Sequence, residues 1–339
     1  MILGHAEQPL LKVRDLQTHF PVQRGFLGRT VGLLRAVDGV TLDVPRGTTL
    51  GIVGESGCGK TTLARTILRL IDATSGSVRF DGLDVLSASR TVLRRLRRNM
   101  QIVFQDGAGS LDPRMNLGQI VAEPLVVHGL ARGRRLRGQV AELLVQVGLR
   151  SSDAERYPHE LSGGQRQRVG IARAIATNPR LLVCDEPVSA LDVSIQAQIL
   201  NLLANLQRRH ALTCVFITHN LAVVRHVSDR VAVMYLGKIV EIADSEDLCL
   251  RPAHPYTIAL FAAALSSETA SCRHRVRPAG ETPELVNPPS GCAFHPRCPL
   301  AAEECRSVSP ELIPRPALSP SHCVACHYSE KARSLMPER

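Results

Sequence analysis

The sequence predicts an α/β fold built around a phosphate-binding loop. Three observations carry that expectation. Short apolar or alternating runs of strand type are interleaved with helical patterns, the order that a sheet flanked by helices requires. The stretch GESGCGKTT, residues 54–62, fits G-x-x-x-x-G-K-[ST] and falls between a strand pattern and a helix pattern. An apolar run, RLLVCDEP, ends in two adjacent acids, Asp185 and Glu186.

The elements follow in order. Residues 8–53 read as strands: LLKVRDLQTHF, then AVDGVTLDV with fair alternation, then GTTLGIVG as a buried run. TTLARTILRLI, residues 61–71, reads as a helix. Residues 76–104 mix short strands with a basic helix and end in the strand MQIVF. From about 115 to 179 the pattern is mostly helical, which predicts an inserted helical subdomain. RLLVCDEP is a buried strand, SIQAQILNLLANLQRRH a long helix, LTCVFITH a strand, and RVAVMYLGKIVEIA a hairpin-like pair turning at residues 236 and 237. After about residue 265 the composition shifts to Pro, Cys, Arg and His. This sets the expected domains at 8–265 and 266–339. No internal repeat is visible, so the chain carries one copy of the pattern.

Composition narrows the function classes. The chain of 339 residues is 44% hydrophobic and 21% charged, ordinary for a protein that buries a large core. No apolar run approaches the roughly 18 residues of a membrane span. The opening stretch MILGHAEQPLLKVRD lacks a basic start followed by a long apolar run, so no secretory leader is expected and the cytoplasm is the expected compartment. There the ten cysteines are thiols or metal ligands rather than disulfides. Net charge is +10, with arginine clustered in RTVLRRLRRN and ARGRRLRGQ. Such faces suit nucleic acid, an anionic membrane surface or plain solvation. Aromatics at 3%, with no Trp, disfavour a platform for stacking bases.

In the phosphate loop, Gly54, Gly57 and Gly59 permit the curvature that turns backbone N–H groups inward. Lys60 supplies charge for the β- and γ-phosphates, and the Thr61 hydroxyl can ligate Mg²⁺. Ser56, Cys58 and Thr62 complete the nucleotide-contacting stretch. Asp185 ends an apolar strand and is a candidate to hold Mg²⁺; Glu186 is a candidate to polarise the attacking water. Standing alone, the pair would read as two solvated acids at a strand end. His219 ends another buried strand, and Gln105 follows the strand MQIVF. A lone His or Gln carries little signal. A second helix start, LSGGQRQR, offers Ser162 as a cap and Gly163 and Gly164 as points of close backbone approach. A helix N-terminus of this kind suits an anion, most often phosphate.

The order of these parts carries a resemblance. Phosphate loop, Gln105, LSGGQRQR, Asp185 with Glu186, SALD and His219 together resemble the ATP-binding cassette (ABC) family over roughly residues 10–265. The resemblance implies that Ser162, Gly163, Gly164 and Gln165 meet the ATP held by a second, facing cassette. It implies that Gln105 contacts Mg²⁺ and senses a membrane partner, that Asp192 organises the dimer seam, and that His219 holds the γ-phosphate. An aromatic stacks on adenine ahead of the loop in this family; Phe20 is the candidate and Phe26 the alternative. FPVQRGFLGRTVGLLRAVDGVTLDV, MQIVFQDGAGSLDPRMNLGQIVAEPL and HPYTIAL resemble more narrowly the ATPase subunits of oligopeptide, dipeptide and nickel importers. So does the tail GCAFHPRCPLAAEEC…HCVACH. That implies a peripheral protein on the inner face of the membrane. Its partners would be two transmembrane permeases, a second identical or similar ATPase and, indirectly, an extracytoplasmic solute-binding protein. The stretch QDGAGSLD departs from the pattern, in which a Pro and an aromatic are common after the Asp, and this puts the permease contact in doubt.

Cys292, Cys298, Cys305, Cys323 and Cys326 are spaced C-x₅-C-x₆-C-x₁₇-C-x₂-C. Only the last pair has the usual zinc knuckle spacing. Four thiolates at irregular spacing suit a [4Fe–4S] cluster, with zinc and unligated thiols as the other readings. Resemblance to the subfamily makes Cys326, rather than Cys323, the fourth ligand beside Cys292, Cys298 and Cys305. His295 and His327 read as solvated or supporting groups.

Peptide import by an ATP-hydrolysing subunit is thus the leading reading, with nickel or another small solute as alternative cargo. A soluble ABC ATPase acting on DNA or ribosomes is the competing class. The long coiled-coil insertion or second cassette of those relatives is absent here, so no nucleic-acid partner is expected. A nucleotide-binding regulator without hydrolysis is opposed by the presence of Glu186 and His219.

Overall fold

The computed structural model describes residues 8–24, 29–105, 107, 109–265, 285–286 and 288–335. Along the chain run β1 (Leu11–Arg24), β2 (Arg29–Val44), β3 (Thr49–Val53), α1 (Lys60–Ile67), β4 (Ser75–Phe80), β5 (Leu83–Asp84), α2 (Arg90–Asn99) and β6 (Met100–Val103). Next come α3 (Leu117–Val127), α4 (Gly133–Gln146), α5 (Gly163–Ile175), β7 (Leu181–Asp185), α6 (Val193–His210), β8 (Thr213–Thr218) and α7 (Leu221–Val227). The rest is β9 (Arg230–Tyr235), β10 (Lys238–Asp244), α8 (Ser245–Leu250), α9 (Pro255–Leu265), α10 (Glu303–Ser307), β11 (Ile313–Pro314), β12 (Cys323–Val324) and α11 (Ser329–Ala332). Among the described residues no helix is long and apolar enough to cross a membrane.

The expected α/β alternation is present, with two local differences. β1 and β2 run longer than their patterns suggest, because Pro21 and Gly32 interrupt the strand signal without ending the strands. The helix expected over 61–71 stops at Ile67. Arg69 adopts a left-handed φ of 50°, and the Leu70 N–H turns back to the Arg65 carbonyl at 2.8 Å. This is the geometry that closes helix C-termini.

The chain forms two compact units, each interrupted in sequence. One comprises the stretch ending at Leu11, Val44–Thr49 and Phe80–Ile217. Its strands β6, β7 and β8 are parallel, with Ile102 opposite Val183 and Val183 opposite Val215. Every residue of β7 and of Thr213–Ile217 is buried. Parallel strands covered on both faces are expected to be apolar throughout. α5 packs on α3 and α4 in the same unit. A capping box holds the α3 start: Asn116 accepts from the Gln119 N–H at 2.8 Å, and Gln119 returns the bond at 2.9 Å.

The other unit comprises Lys12–Asp43, Leu50–Arg79 and the chain from Thr218 on. β1 lies between β2 and β4 in one sheet. In a second sheet β3 runs parallel to β9, β9 pairs antiparallel with β10, β10 with β12, and β12 with β11. Leu236 and Gly237 have φ of 43° and 81°, the two left-handed residues that a tight β-hairpin requires. β11 and β12 come from beyond residue 265, so the extension continues this sheet. It also shares the core. Tyr235, Tyr256 and Phe294 are almost fully buried, with ring centroids 4.5 to 5.5 Å apart. Beneath them Glu241, wholly buried, accepts from the Ala253 and His254 N–H groups at 2.7 and 2.9 Å and lies 2.7 Å from His322 Nε2. A buried carboxylate is tolerable only with such partners.

Phe294→Ala therefore removes a large part of a shared aromatic cluster and is expected to lower stability by about 3–5 kcal/mol. The urea midpoint of the full chain measures it; an unchanged midpoint would contradict the packing described here.

Candidate functional site

The phosphate loop joins β3 to α1. Its path is set by backbone crowding. A Cβ on Gly59 would lie 1.9 Å from the Ala36 carbonyl oxygen, and one on Gly54 would lie 2.1 Å from that of Met234. Gly57 and Gly59 take φ of 78° and 107°, conformations that glycine alone adopts easily. Gly59 precedes α1 and supplies no side-chain cap. The first N–H groups of α1 thus face the loop interior, the arrangement that binds anions. Lys60 is buried, with Nζ 2.8 Å from the Gly54 carbonyl and 2.9 Å from that of Glu55. Cys58 is buried, and burial raises its thiol pKa. Ser56 is exposed, while Thr61 and Thr62 are half-buried at the α1 start.

In the same unit Thr18 of β1 bonds Thr66 of α1, oxygen to oxygen at 3.0 Å. Phe20, two residues along β1, is half-buried; on a strand it shares a face with Thr18. Phe26 lies outside the described residues. His219 follows β8 and is exposed, and Asn220 caps α7 through the Ala222 N–H at 2.9 Å.

The other unit holds the remaining motif residues. Asp185 ends β7 and is 1% exposed. Glu186 adopts a left-handed φ of 46°, and its N–H donates to the Ile217 carbonyl at 2.9 Å. That turn re-aims the carboxylate away from the strand line. Gln105, exposed after β6, donates from Nε2 to Glu186 Oε2 at 3.1 Å. The chain thus brings together two motif residues far apart in sequence.

The α5 start is a capping box. Ser162 Oγ accepts from the Gln165 N–H at 3.3 Å, and Gln165 Oε1 accepts from the Ser162 N–H at 3.0 Å. Ser162 is exposed. The two glycines have a reason within the chain itself: a Cβ on Gly164 would meet Ile195 of α6 at 2.6 Å, and one on Gly163 would meet Leu191 at 3.3 Å. Asp192, exposed at the α6 start, makes no side-chain capping bond there.

In the tail, the Cys292 N–H donates to the Cys305 carbonyl at 2.8 Å. Burial pushes the Cys326 thiol up to about 12, reinforced by the nearby Cys292, Cys298 and Cys305. Burial likewise pushes Cys298 to about 11, with Cys292 and Cys305 adding to it. Cys323 lies against Arg230 instead. Cys323 is not among the groups that raise the Cys326 thiol. Among the described residues, however, no group of three or more His, Cys, Asp or Glu is placed to hold a metal ion. His295 Nδ1 lies 3.0 Å from the Cys292 carbonyl, and His327 Nε2 lies 3.0 Å from that of Val308.

Two features escape a motif reading. Gln167 of α5 is buried and reaches the Phe104 carbonyl, beside Gln105, at 3.5 Å. Arg297 of the tail pairs with Glu55 inside the phosphate loop at 3.1 Å. The sequence signals were the second Gln of GGQRQ and the Arg of HPRCP.

Comparison with known proteins gives two family matches. Residues 37–189 match the ABC transporter family, and residues 240–305 match the oligopeptide/dipeptide transporter C-terminal region. A probable peptide ABC transporter ATP-binding protein of Sinorhizobium fredii is 53% identical over 319 residues, covering 94% of this chain and 89% of the relative. The oligopeptide transport ATP-binding protein AppF of Bacillus subtilis is 49% identical over 324 residues, covering 95% and 98%. A dimeric post-hydrolysis state of an ATP-binding cassette bound to ADP and Pi superposes with a TM-score of 0.61 at 29% identity, covering 69% of this chain and 98% of that one.

Proposed function

This chain belongs to the ATP-binding subunits of ABC transporters, and we propose that it powers the import of di- and oligopeptides across the cytoplasmic membrane. One observation carries the peptide assignment. Nearly the whole chain, extension included, aligns with ATP-binding proteins of peptide transporters. In this reading it sits peripherally on the inner face, with two permease subunits, a second ATPase and a solute-binding protein outside. Residues 8–265 form the nucleotide-binding domain and 266–339 the extension.

The roles follow residue by residue. The backbone of Gly54, Ser56, Gly57, Cys58 and Gly59 cradles the ATP phosphates, Lys60 meets the β- and γ-phosphates, and Thr62 adds a hydroxyl. The crowding at Gly59 and Gly54 supports this, since it leaves the loop as bare backbone. Phe20 stacks on adenine. Thr61, Asp185 and Gln105 would hold Mg²⁺, which would neutralise phosphate charge when bound. Glu186 takes the proton of the attacking water, and Gln105, bonded to it at 3.1 Å, holds its carboxylate in place. His219 donates to the γ-phosphate. Ser162, Gly163, Gly164 and Gln165 face the ATP of a second cassette, and Asp192 lies at the seam between the two.

The tail's Cys292, Cys298, Cys305 and Cys326 are proposed as ligands of a [4Fe–4S] cluster. That assignment rests on the cysteine spacing and the subfamily resemblance; among the described residues no group of three or more His, Cys, Asp or Glu is placed to hold a metal ion.

Glu186→Gln is expected to cut ATP hydrolysis by at least about 100-fold while ATP affinity stays within about threefold of the parent. Single-turnover hydrolysis and equilibrium nucleotide binding measure the two; full activity in that variant contradicts the role given to Glu186. Anaerobic purification is expected to yield a brown protein with iron and acid-labile sulfide in equal amounts. A colourless protein free of iron contradicts the cluster.

A further inference from the structure

Glu55 is the second residue of GESGCGKTT, and the nucleotide-site motifs give it no role. Its backbone N–H donates to the Tyr256 hydroxyl at 2.9 Å. Its carboxylate is held by Arg297, with Nη1 3.3 and 3.1 Å from the two oxygens and Nη2 3.3 Å from Oε1. Arg297 lies 242 residues further along, in the short turn His295–Arg297 that leads from Cys292 to Cys298. Its side chain is 9% exposed and that of Glu55 27%. The guanidinium carbon sits 5.9 Å from the Tyr235 ring centre and 6.0 Å from that of Phe294. Nη1 also donates to the Tyr235 hydroxyl at 3.4 Å. The aromatic cluster thus forms a socket for one cation, and that cation is aimed at the phosphate loop.

The electrostatics give this pair a purpose. A loop that holds a polyphosphate is a poor place for an uncompensated carboxylate, because like charges a few ångströms apart repel strongly where water is partly excluded. Arg297 offsets the Glu55 charge with a planar fork that contacts both carboxylate oxygens. We propose that Arg297 is a positioning residue for nucleotide binding: the C-terminal extension neutralises Glu55 and thereby keeps the phosphate loop able to accept ATP. The inference rests on the loop being the ATP site. It gives the extension a part in the ATP site that is independent of any metal.

The test uses the full chain and three variants: Arg297→Gln, Arg297→Lys, and the double Arg297→Gln/Glu55→Gln. ATP affinity is read by displacement of a fluorescent ATP analogue, with a thermal melt of each variant beside it. Arg297→Gln is expected to weaken ATP by at least about tenfold, and less as ionic strength rises, since salt screens the half-buried, uncompensated Glu55 charge. Arg297→Lys keeps the charge but loses the fork, and is expected to weaken ATP less than Arg297→Gln does. The double variant, with no carboxylate left to repel phosphate, is expected to recover to within about threefold. A purely structural Arg297 predicts otherwise: lowered melting temperatures in both Gln variants with no recovery of affinity in the double. That result, or parent-like affinity in Arg297→Gln, overturns the proposal. Should Arg297→Gln not fold, the double variant decides by the same criterion. Failure of the parent chain to bind ATP is a separate result and overturns the reading of the loop itself.

Discussion

The approach of Gly59 to the Ala36 carbonyl is the constraint on which the nucleotide site depends. At 1.9 Å from a notional Cβ, it admits no side chain. The loop is therefore pressed against β2 and must curl, with Gly57 and Gly59 in left-handed conformations. That curl leaves the α1 start without a side-chain cap and seats Lys60 across the loop on its own carbonyls. The buried β3 and β9 behind it hold the frame, with Val53 opposite Val233. The result is a rigid ring of donors and one cation, preorganised for phosphate.

The extension is bound into this frame. β12 adds to the sheet beside β10, Phe294 completes the aromatic cluster, and His322 meets the wholly buried Glu241. Arg297 carries the connection one step further, to Glu55. A segment whose composition suggests a small appended module is thus a structural part of the unit that holds the phosphate loop. Cys292, Cys298, Cys305 and Cys326 lie in the same segment, on both sides of the turn that presents Arg297.

How much of this was legible in the sequence depended on range. Local patterns read well. GESGCGKTT announced a strand–loop–helix, SGGQRQ announced a helix start with Ser162 as cap, and the pair at residues 236 and 237 announced a hairpin turn. β1 and β2 read too short because Pro21 and Gly32 are poor strand formers held in place by their neighbours. The SGGQ glycines read as room for a ligand backbone, whereas Gly164 is also required by Ile195 of the same chain. Contacts over long sequence separations were not legible. Nothing local to Glu55 points to Arg297, and no composition shift marks the two interleaved units, which are defined by packing alone. The cysteine-rich composition of the tail was legible; the four-ligand set read from it has no counterpart in a metal-holding group among the described residues.

This ATPase works as part of a peptide importer. The most direct test is to tag the Glu186→Gln chain, solubilise membranes gently with ATP and Mg²⁺ present, and identify what co-purifies. Two multi-span permeases, together with this chain or a similar ATPase, are expected from the membrane fraction. Ribosomes or DNA-repair proteins, with the chain absent from membranes, would contradict it.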